Sequence, residues 1–265
     1  MTMRRIAVLA ASGRELAPAR ASLSVVRRGC LESFRHEVGR TGAVEVHLIR
    51  TGIGPAHARE VSESAVFALA PDAVISTGYA GALGHAGIGE VILGTESLDW
   101  SRERTQAAVQ ADAALLQAAR MAAREAGVTW AQGSIVTVER VVWRTSEKRA
   151  LGEASGAVAV DMESAAIASA ATSAGIPFLL ARVISDRAGD DLPMDFNVWL
   201  APRGPVRGIT HIVRHPSILR SLYQMKRDTD YAAERLRRFF CALVIVLESQ
   251  WLPTGSDAPV TMEAL

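Results

Sequence analysis

Cysteine is nearly absent from this 265-residue chain: Cys30 and Cys241 stand far apart, without CxxC or Cys/His spacing. That argues against a disulfide framework and a thiolate zinc site, and fits a reducing cytoplasm. An excess of one charge is missing too. Lys and Arg number 29 against 28 Asp and Glu, a formal +1, which gives no support to a nucleic-acid partner, although the C-terminal region is locally basic. Aromatics make up only 5% of the residues. No apolar run reaches the roughly 20 residues of a membrane span. The most apolar one, Phe239 to Leu247, is about half that length and reads as a core helix or subunit contact. At the N-terminus, Ile6 to Ala10 behind Arg4 and Arg5 is too short for an export signal and reads as a first buried strand. Repeats and low-complexity tracts are absent, and nothing near the middle divides the chain into two units.

What is present is a 49% hydrophobic, alanine-rich globular composition organised around one stretch, Ala157 to Asp186. Ala157 to Val160 is short, apolar and β-branched. An alanine-dominated segment of high helix propensity follows and stops at Gly175, with Pro177 just beyond. Phe178 to Ile184 then resumes as a buried strand. The pattern predicts a βαβ-like unit. With parallel neighbouring strands, Glu163 and Asp186 would both project at the carboxyl edge of the sheet, where open α/β sheets place ligands.

Other segments add candidates. Gly13 turns the first strand into a helix carrying Glu15 in its first turn, where a carboxylate also complements the helix dipole. Val44 to Arg50 is a strand, and Thr51-Gly52-Ile53-Gly54-Pro55 turns it into a helix towards Leu69. As a dinucleotide fingerprint this Gly-x-Gly fails, because His57 stands where the third glycine belongs. Asp72 to Ser76 is a strand predicted to open into a glycine-rich loop, TGYAGALG, with Gly78, Gly81 and Gly84; no Lys-Ser or Lys-Thr follows, which excludes a triphosphate loop. A strand follows Gly89, a helix spans Ala111 to Ala126, and strand material is predicted from Gly133 through Val142. Arg187 to Asn197 is loop chemistry. From about Val206 to Leu252 the chain reads as helical, basic on one face and apolar on the other. His211 and His215 have the spacing of a metal pair but no glutamate between them, and Pro216 follows. No metal or cofactor is expected.

Four stretches together, TGIG at 51–54, STGYAGAL at 76–83, VDMESAAIA at 160–168 and ARVISD at 181–186, resemble the nucleoside phosphorylase and nucleosidase superfamily, and most of all methylthioadenosine/S-adenosylhomocysteine nucleosidases. The resemblance covers roughly residues 4 to 200. It implies a three-layer α/β/α sandwich around a mixed, partly barrel-like sheet in residues 1–205. A helical extension at 206–252 would pack on the same domain, and 253–265 would form a flexible tail. It also implies a homodimer or higher oligomer acting in the cytoplasm on a small nucleoside, with water or phosphate as co-substrate and no nucleic acid. Carried onto this chain, Asp186 would protonate N7 of a departing purine, because a purine anion leaves poorly. Glu163 would hold ribose hydroxyls and favour the developing oxocarbenium ion, as a second carboxylate does in O-glycoside cleavage. Met162 would pack on the sugar, Thr77, Gly78 and Ser185 would line the site, and Val141 and Val142 would flank the base. Nucleosidases place a glutamate at the position of Glu15 to activate water, which favours hydrolysis over phosphorolysis. The chain departs from those enzymes in having Tyr79 for a serine, a short segment around 99–110, and the basic extension. That extension is similar to the hopanoid-associated phosphorylases, so the alternative is a phosphorolytic enzyme acting on an adenosyl lipid, with the amphipathic C-terminal helices at a membrane surface.

Overall fold

A computed structural model describes residues 4–31, 34–42, 44–100, 108–200 and 218–251. In chain order the elements are β1 (Arg4–Ala10), α1 (Gly13–Arg20), β2 (Ser24–Leu31), β3 (Phe34–Thr41), β4 (Val44–Arg50), α2 (Pro55–Leu69), β5 (Ala73–Ala82), β6 (Val91–Asp99) and β7 (Ala108–Gln110). They continue with α3 (Ala113–Glu125), β8 (Trp130–Thr137), α4 (Thr145–Ser155), β9 (Ala159–Asp161), α5 (Ser164–Ser173), β10 (Phe178–Asp186), α6 (Asn197–Leu200) and α7 (Ile218–Trp251). The strands form one mixed sheet in the order β10-β6-β8-β9-β5-β1-β4-β3-β2, and the further pairing of β10 with β5 closes five strands into a barrel. The expected barrel-like mixed sheet between helical layers is what forms.

Alternation along the strands builds the layers. Ile6, Val8 and Ala10 of β1 pack on one side with Leu16, Leu116, Leu236, Phe239, Phe240 and Leu243 of α1, α3 and α7. Ala7 and Leu9 face the other side, with Ala58, Ala65, Ile167 and Ala171 of α2 and α5. Successive side chains of a strand point to opposite faces, so each strand feeds both layers. Local signals set the helix starts. Asp112 caps α3 by accepting from the Ala114 and Leu115 N–H groups at 3.0 and 2.9 Å. Pro55 opens α2 behind Gly54, whose φ of 93° a side chain would disfavour. The apolar run at 239–247 lies in α7 as a core helix, with Phe239, Leu243 and Leu247 buried.

Three expectations change. β9 and β10 are not parallel neighbours: both pair with β5, β9 antiparallel at Gly81 and Ala82 and β10 parallel from Val74 to Gly81. β1 reaches only Ser76 along β5, so the edge beyond is free, and the short β9 takes it. Thr77 to Ala82 is strand rather than glycine-rich loop, because β10 bonds it along one edge to Gly81 and β9 takes the other edge at Gly81 and Ala82. Finally, β8 ends at Thr137, and residues 138–144 form a connection tied down by Asn197, which bonds Val141 N–H at 2.8 Å and Val141 C=O at 2.9 Å. Among the described residues, no helix is long and apolar enough to cross a membrane. The His211/His215 pair, the beginning of the extension and the tail lie outside the described residues.

Candidate functional site

Beneath the carboxyl half of β5 lies a buried polar network. Arg182 of β10, in register with Gly78, bonds Asp161 of β9 through Nε at 2.7 Å, and both side chains are 1% exposed. Its Nη2 donates to Ser76 Oγ at 3.0 Å and to Ser164 Oγ at 2.9 Å. Asp161 also accepts from the Ser164 hydroxyl and from Thr137 Oγ1 at 2.7 Å. A buried ion pair is tolerated only when its remaining donors and acceptors are filled. One is not: Arg182 Nη1 has no hydrogen-bond partner. The network fixes the junction between β9 and α5, and with it Met162 and Glu163.

One carboxylate lies beside this free N–H, and a second feels the charge of the guanidinium. Glu15, buried in the first turn of α1, is held by Ser12 Oγ at 2.8 Å and by the Tyr79 N–H at 3.2 Å. A Cβ on Gly78 would lie 2.5 Å from Glu15 Oε1 and 3.1 Å from Arg182 Nη1, at a φ of +137°, so glycine is required on both counts. Glu163 is buried and accepts the Gly54 N–H at 2.8 Å, which is what the Gly-x-Gly turn after β4 does. Burial first, then the Asp161 charge, pushes its carboxyl up to about 7; Arg182 and the Gly54 bond oppose this and Glu15 adds to it.

Three residues along β5, roughly 10 Å for an extended strand, stands the third acid. Asp186 pairs with Gly81 across a register shift after Ile184, and its Oδ2 lies 3.0 Å from where a Cβ of Gly81 would sit. The bulge re-aims the side chain at that glycine. Ser185 Oγ donates to Asp186 Oδ1 at 2.9 Å, and Lys148 Nζ lies 2.6 Å from Oδ2. The exposures of that pair differ: 18% for the aspartate side chain and 0% for the lysine.

The structure therefore brings Glu15 and Arg182 to Gly78 at one end of a stretch of β5, with Glu163 on the Gly54 N–H and feeling both of their charges, and Asp186 and Ser185 to the other end. Thr77 is buried with its hydroxyl unpartnered. Met162 and Val142 each pack against the apolar cluster that includes Val136, Val138 and Val160, while Val141 is held by its backbone to Asn197. Tyr79 points away into the α1/α3/α7 layer, where burial first, and then the charges of Glu15 and Asp230, push its hydroxyl up to about 12. Sequence reasoning missed Arg182, Asp161, Ser76, Ser164 and Lys148. A lone arginine inside the apolar run 178–184 was the available signal, since a buried charge requires a partner. Among the described residues, no group of three His, Cys, Asp or Glu could hold a metal ion.

Comparison with known proteins bears on the family and the fold. The sequence pattern of the phosphorylase superfamily matches residues 5–203. A 5'-methylthioadenosine/S-adenosylhomocysteine nucleosidase of Bacillus licheniformis is 29% identical over 211 residues, covering 74% of this chain and 91% of that protein. One from Shewanella loihica is 27% identical over 215 residues, covering 76% and 94%. Among solved structures, the Neisseria meningitidis nucleosidase in complex with methylthio-immucillin-A superposes with a TM-score of 0.72 at 24% identity, covering 91% of this chain and 98% of that one.

Proposed function

The chain belongs to the phosphorylase superfamily, and from that premise we infer that it is an enzyme that hydrolyses the N-glycosidic bond of adenine nucleosides and releases the free base. The curated relatives are named as nucleosidases of this kind and are matched over nearly their whole length. The observation that carries the residue assignment is the arrangement along β5, with Glu15 and the free Arg182 N–H at Gly78, Asp186 at Gly81, and Glu163 on the Gly54 N–H within reach of the Glu15 and Arg182 charges.

Each group has a physical reason for its place. Glu15 takes a proton from the attacking water. The unpartnered Nη1 of Arg182, beside it, is a donor for that water or for a ribose oxygen. Glu163, buried with its Oε1 on the Gly54 N–H, anchors ribose hydroxyls and opposes the positive charge that develops at C1'. Asp186 protonates N7 as the bond to C1' stretches. Met162 lies against the sugar, and Val142, on the connection after β8, flanks the base together with Val141. Thr77, Gly78 and Ser185 line the site. A panel of methylthioadenosine, S-adenosylhomocysteine, adenosine, inosine and a lipid-linked adenosine, each with and without phosphate, tests the reaction. Adenine release without phosphate is expected; strict phosphate dependence would overturn hydrolysis. Asp186→Asn is expected to lower base release at least 100-fold with the fold intact, and full activity would remove its role as acid.

One observation favours phosphorolysis. Arg20, Arg28, Arg35 and Arg50 line a cavity of about 500 Å³ with Gly13 and His36, against the single carboxylate of Glu37. Gly13 begins the helix of Glu15, and Arg50 precedes the turn that holds Glu163, so an anion there would sit beside the site. Assembly of copies in the cytoplasm belongs to the same proposal, supported by the exposed Phe67 and Ile53 on and before α2. A lipid surface for α7 is supported by exposed Leu219 and Tyr223 on a helix that also carries Arg220 and Arg227.

A further inference from the structure

Lys148 is a polar residue of a polar-looking helix, yet it has no exposed surface. Its ammonium has three N–H bonds to give, and three oxygens receive them: Asp186 Oδ2 at 2.6 Å, Arg187 C=O at 2.7 Å and Asp190 C=O at 3.0 Å. Removing an ammonium from water is costly, and this one is compensated by a complete set of acceptors. The contact crosses from α4 to the end of β10 and fastens the loop after Asp186.

The arrangement also poses a chemical question. Both Asp186 oxygens already receive donors, the Ser185 hydroxyl on Oδ1 and the Lys148 ammonium on Oδ2. A carboxylate so placed accepts protons; to act as an acid it must be given one. Of its two partners, the ammonium is the one that carries a transferable proton at neutral pH.

Resting on the reading of Asp186 as the acid, we propose that Lys148 is a positioning residue that supplies the proton which Asp186 passes to the purine. As the C1'–N9 bond breaks, its electron pair leaves with the base. N7 takes a proton from Asp186, and Asp186 takes one from Lys148 Nζ. Water forms the new C1'–O bond and leaves its proton on Glu15. The neutral amine keeps two N–H groups on the Arg187 and Asp190 carbonyls, and Asp186 is left as a carboxylate held by the Ser185 hydroxyl. Once the products leave, the partly exposed Asp186 reconnects Lys148 to solvent protons, and Glu15 gives its proton back to solvent.

The test separates leaving groups that need a proton from those that do not. Wild type, Lys148→Met, Lys148→Arg and Asp186→Asn are assayed on methylthioadenosine and on p-nitrophenyl β-ribofuranoside, whose phenolate departs unprotonated. Arginine keeps the cation for Asp186 but does not give up its proton, so it serves where the methionine variant fails to fold. Expected is a loss of 100-fold or more in adenine release for both lysine variants, with p-nitrophenol release changed less than about threefold. Wild-type adenine release by Lys148→Arg, or equal losses on both substrates, overturns the proton supply. If Asp186→Asn shows the split and the Lys148 variants do not, this inference alone fails. If Asp186→Asn releases adenine at the wild-type rate, the acid assignment beneath it fails.

Discussion

The two ends of the stretch of β5 that carries the site are built on opposite electrostatic plans. At Gly78, Glu15 sits beside a guanidinium whose Nη1 bonds to nothing, and Glu163 on the Gly54 N–H feels the charges of both. At Gly81, one carboxylate is clasped by an ammonium with no exposed surface and every donor used. The first end keeps negative charge and a spare donor, which suits the binding of hydroxyls and a developing cation. The second sets an ammonium against the carboxylate that the proposed reaction uses as its acid. In a low-dielectric interior neither could be converted into the other by one substitution, because each charge is satisfied by partners from separate elements.

Breaking the shared support should have the largest effect. Arg182→Met removes the partner of Asp161 and leaves a buried carboxylate uncompensated, so a loss of about 3–5 kcal/mol of stability is expected by urea unfolding. It should disable the Gly78 end by releasing the β9–α5 junction. A melt unchanged from wild type would mean the network does not hold that end.

The chemistry of the Gly78 end is sharpened by Glu163→Gln, for which kcat/KM should fall about 100-fold to 1,000-fold. Its stability should also depend on pH. The Glu163 carboxyl is raised to about 7 from an ordinary 4.5. The stabilisation from holding it protonated is therefore complete below about 4.5 and is lost as pH rises through about 7. Glu163→Gln should melt like wild type near pH 4.5 and above it at pH 8, by up to about 3 kcal/mol. A difference independent of pH would show that the charge is not confined as described.

Gly78→Ala tests the closeness of Glu15 and Arg182 to the strand. The methyl group would crowd both and impose a positive φ on alanine, and a cost of about 1–3 kcal/mol with loss of activity is expected. The corresponding methyl at Gly81 has an ordinary φ and meets Asp186 Oδ2 at 3.0 Å, so Gly81→Ala should reduce activity more than stability.

The smallest effect is a control away from the site. Burial lowers the pKa values of His36 and His47 below 6.5, outweighing for His47 the pull of Glu45. Stability from keeping them neutral is full above pH 6.5 and declines as pH falls below it. His47→Gln should flatten that acid limb while leaving the Glu163 dependence unchanged.

How much was legible in the sequence follows from what each residue contacts. Glu15, Glu163 and Asp186 each stand where a strand gives out or passes into a helix, and such junctions are visible in a linear pattern. Lys148 was not legible. Its partner is 38 positions away, and SEKRALGE reads as a solvated helix until the fold covers it. The hairpin of β2 and β3 was also unread, because SVVRRGCL and FRHEVGRT carry arginines where an alternating strand would show a clean polar face. Strand neighbours were misassigned for a topological reason: nothing local in Ala157 to Asp186 says that β5 will come between its two strands.

The packing of α7 bears on how the chain is made. Phe239, Phe240, Leu243 and Leu247 complete the same core layer as Leu16 of α1 and Leu116 of α3, so the last helix of the described fold covers the first. During synthesis at about 5–20 residues per second, that apolar face waits uncovered until residues near 247 have left the ribosome tunnel. A nascent chain halted before α7 should therefore be a client for chaperones.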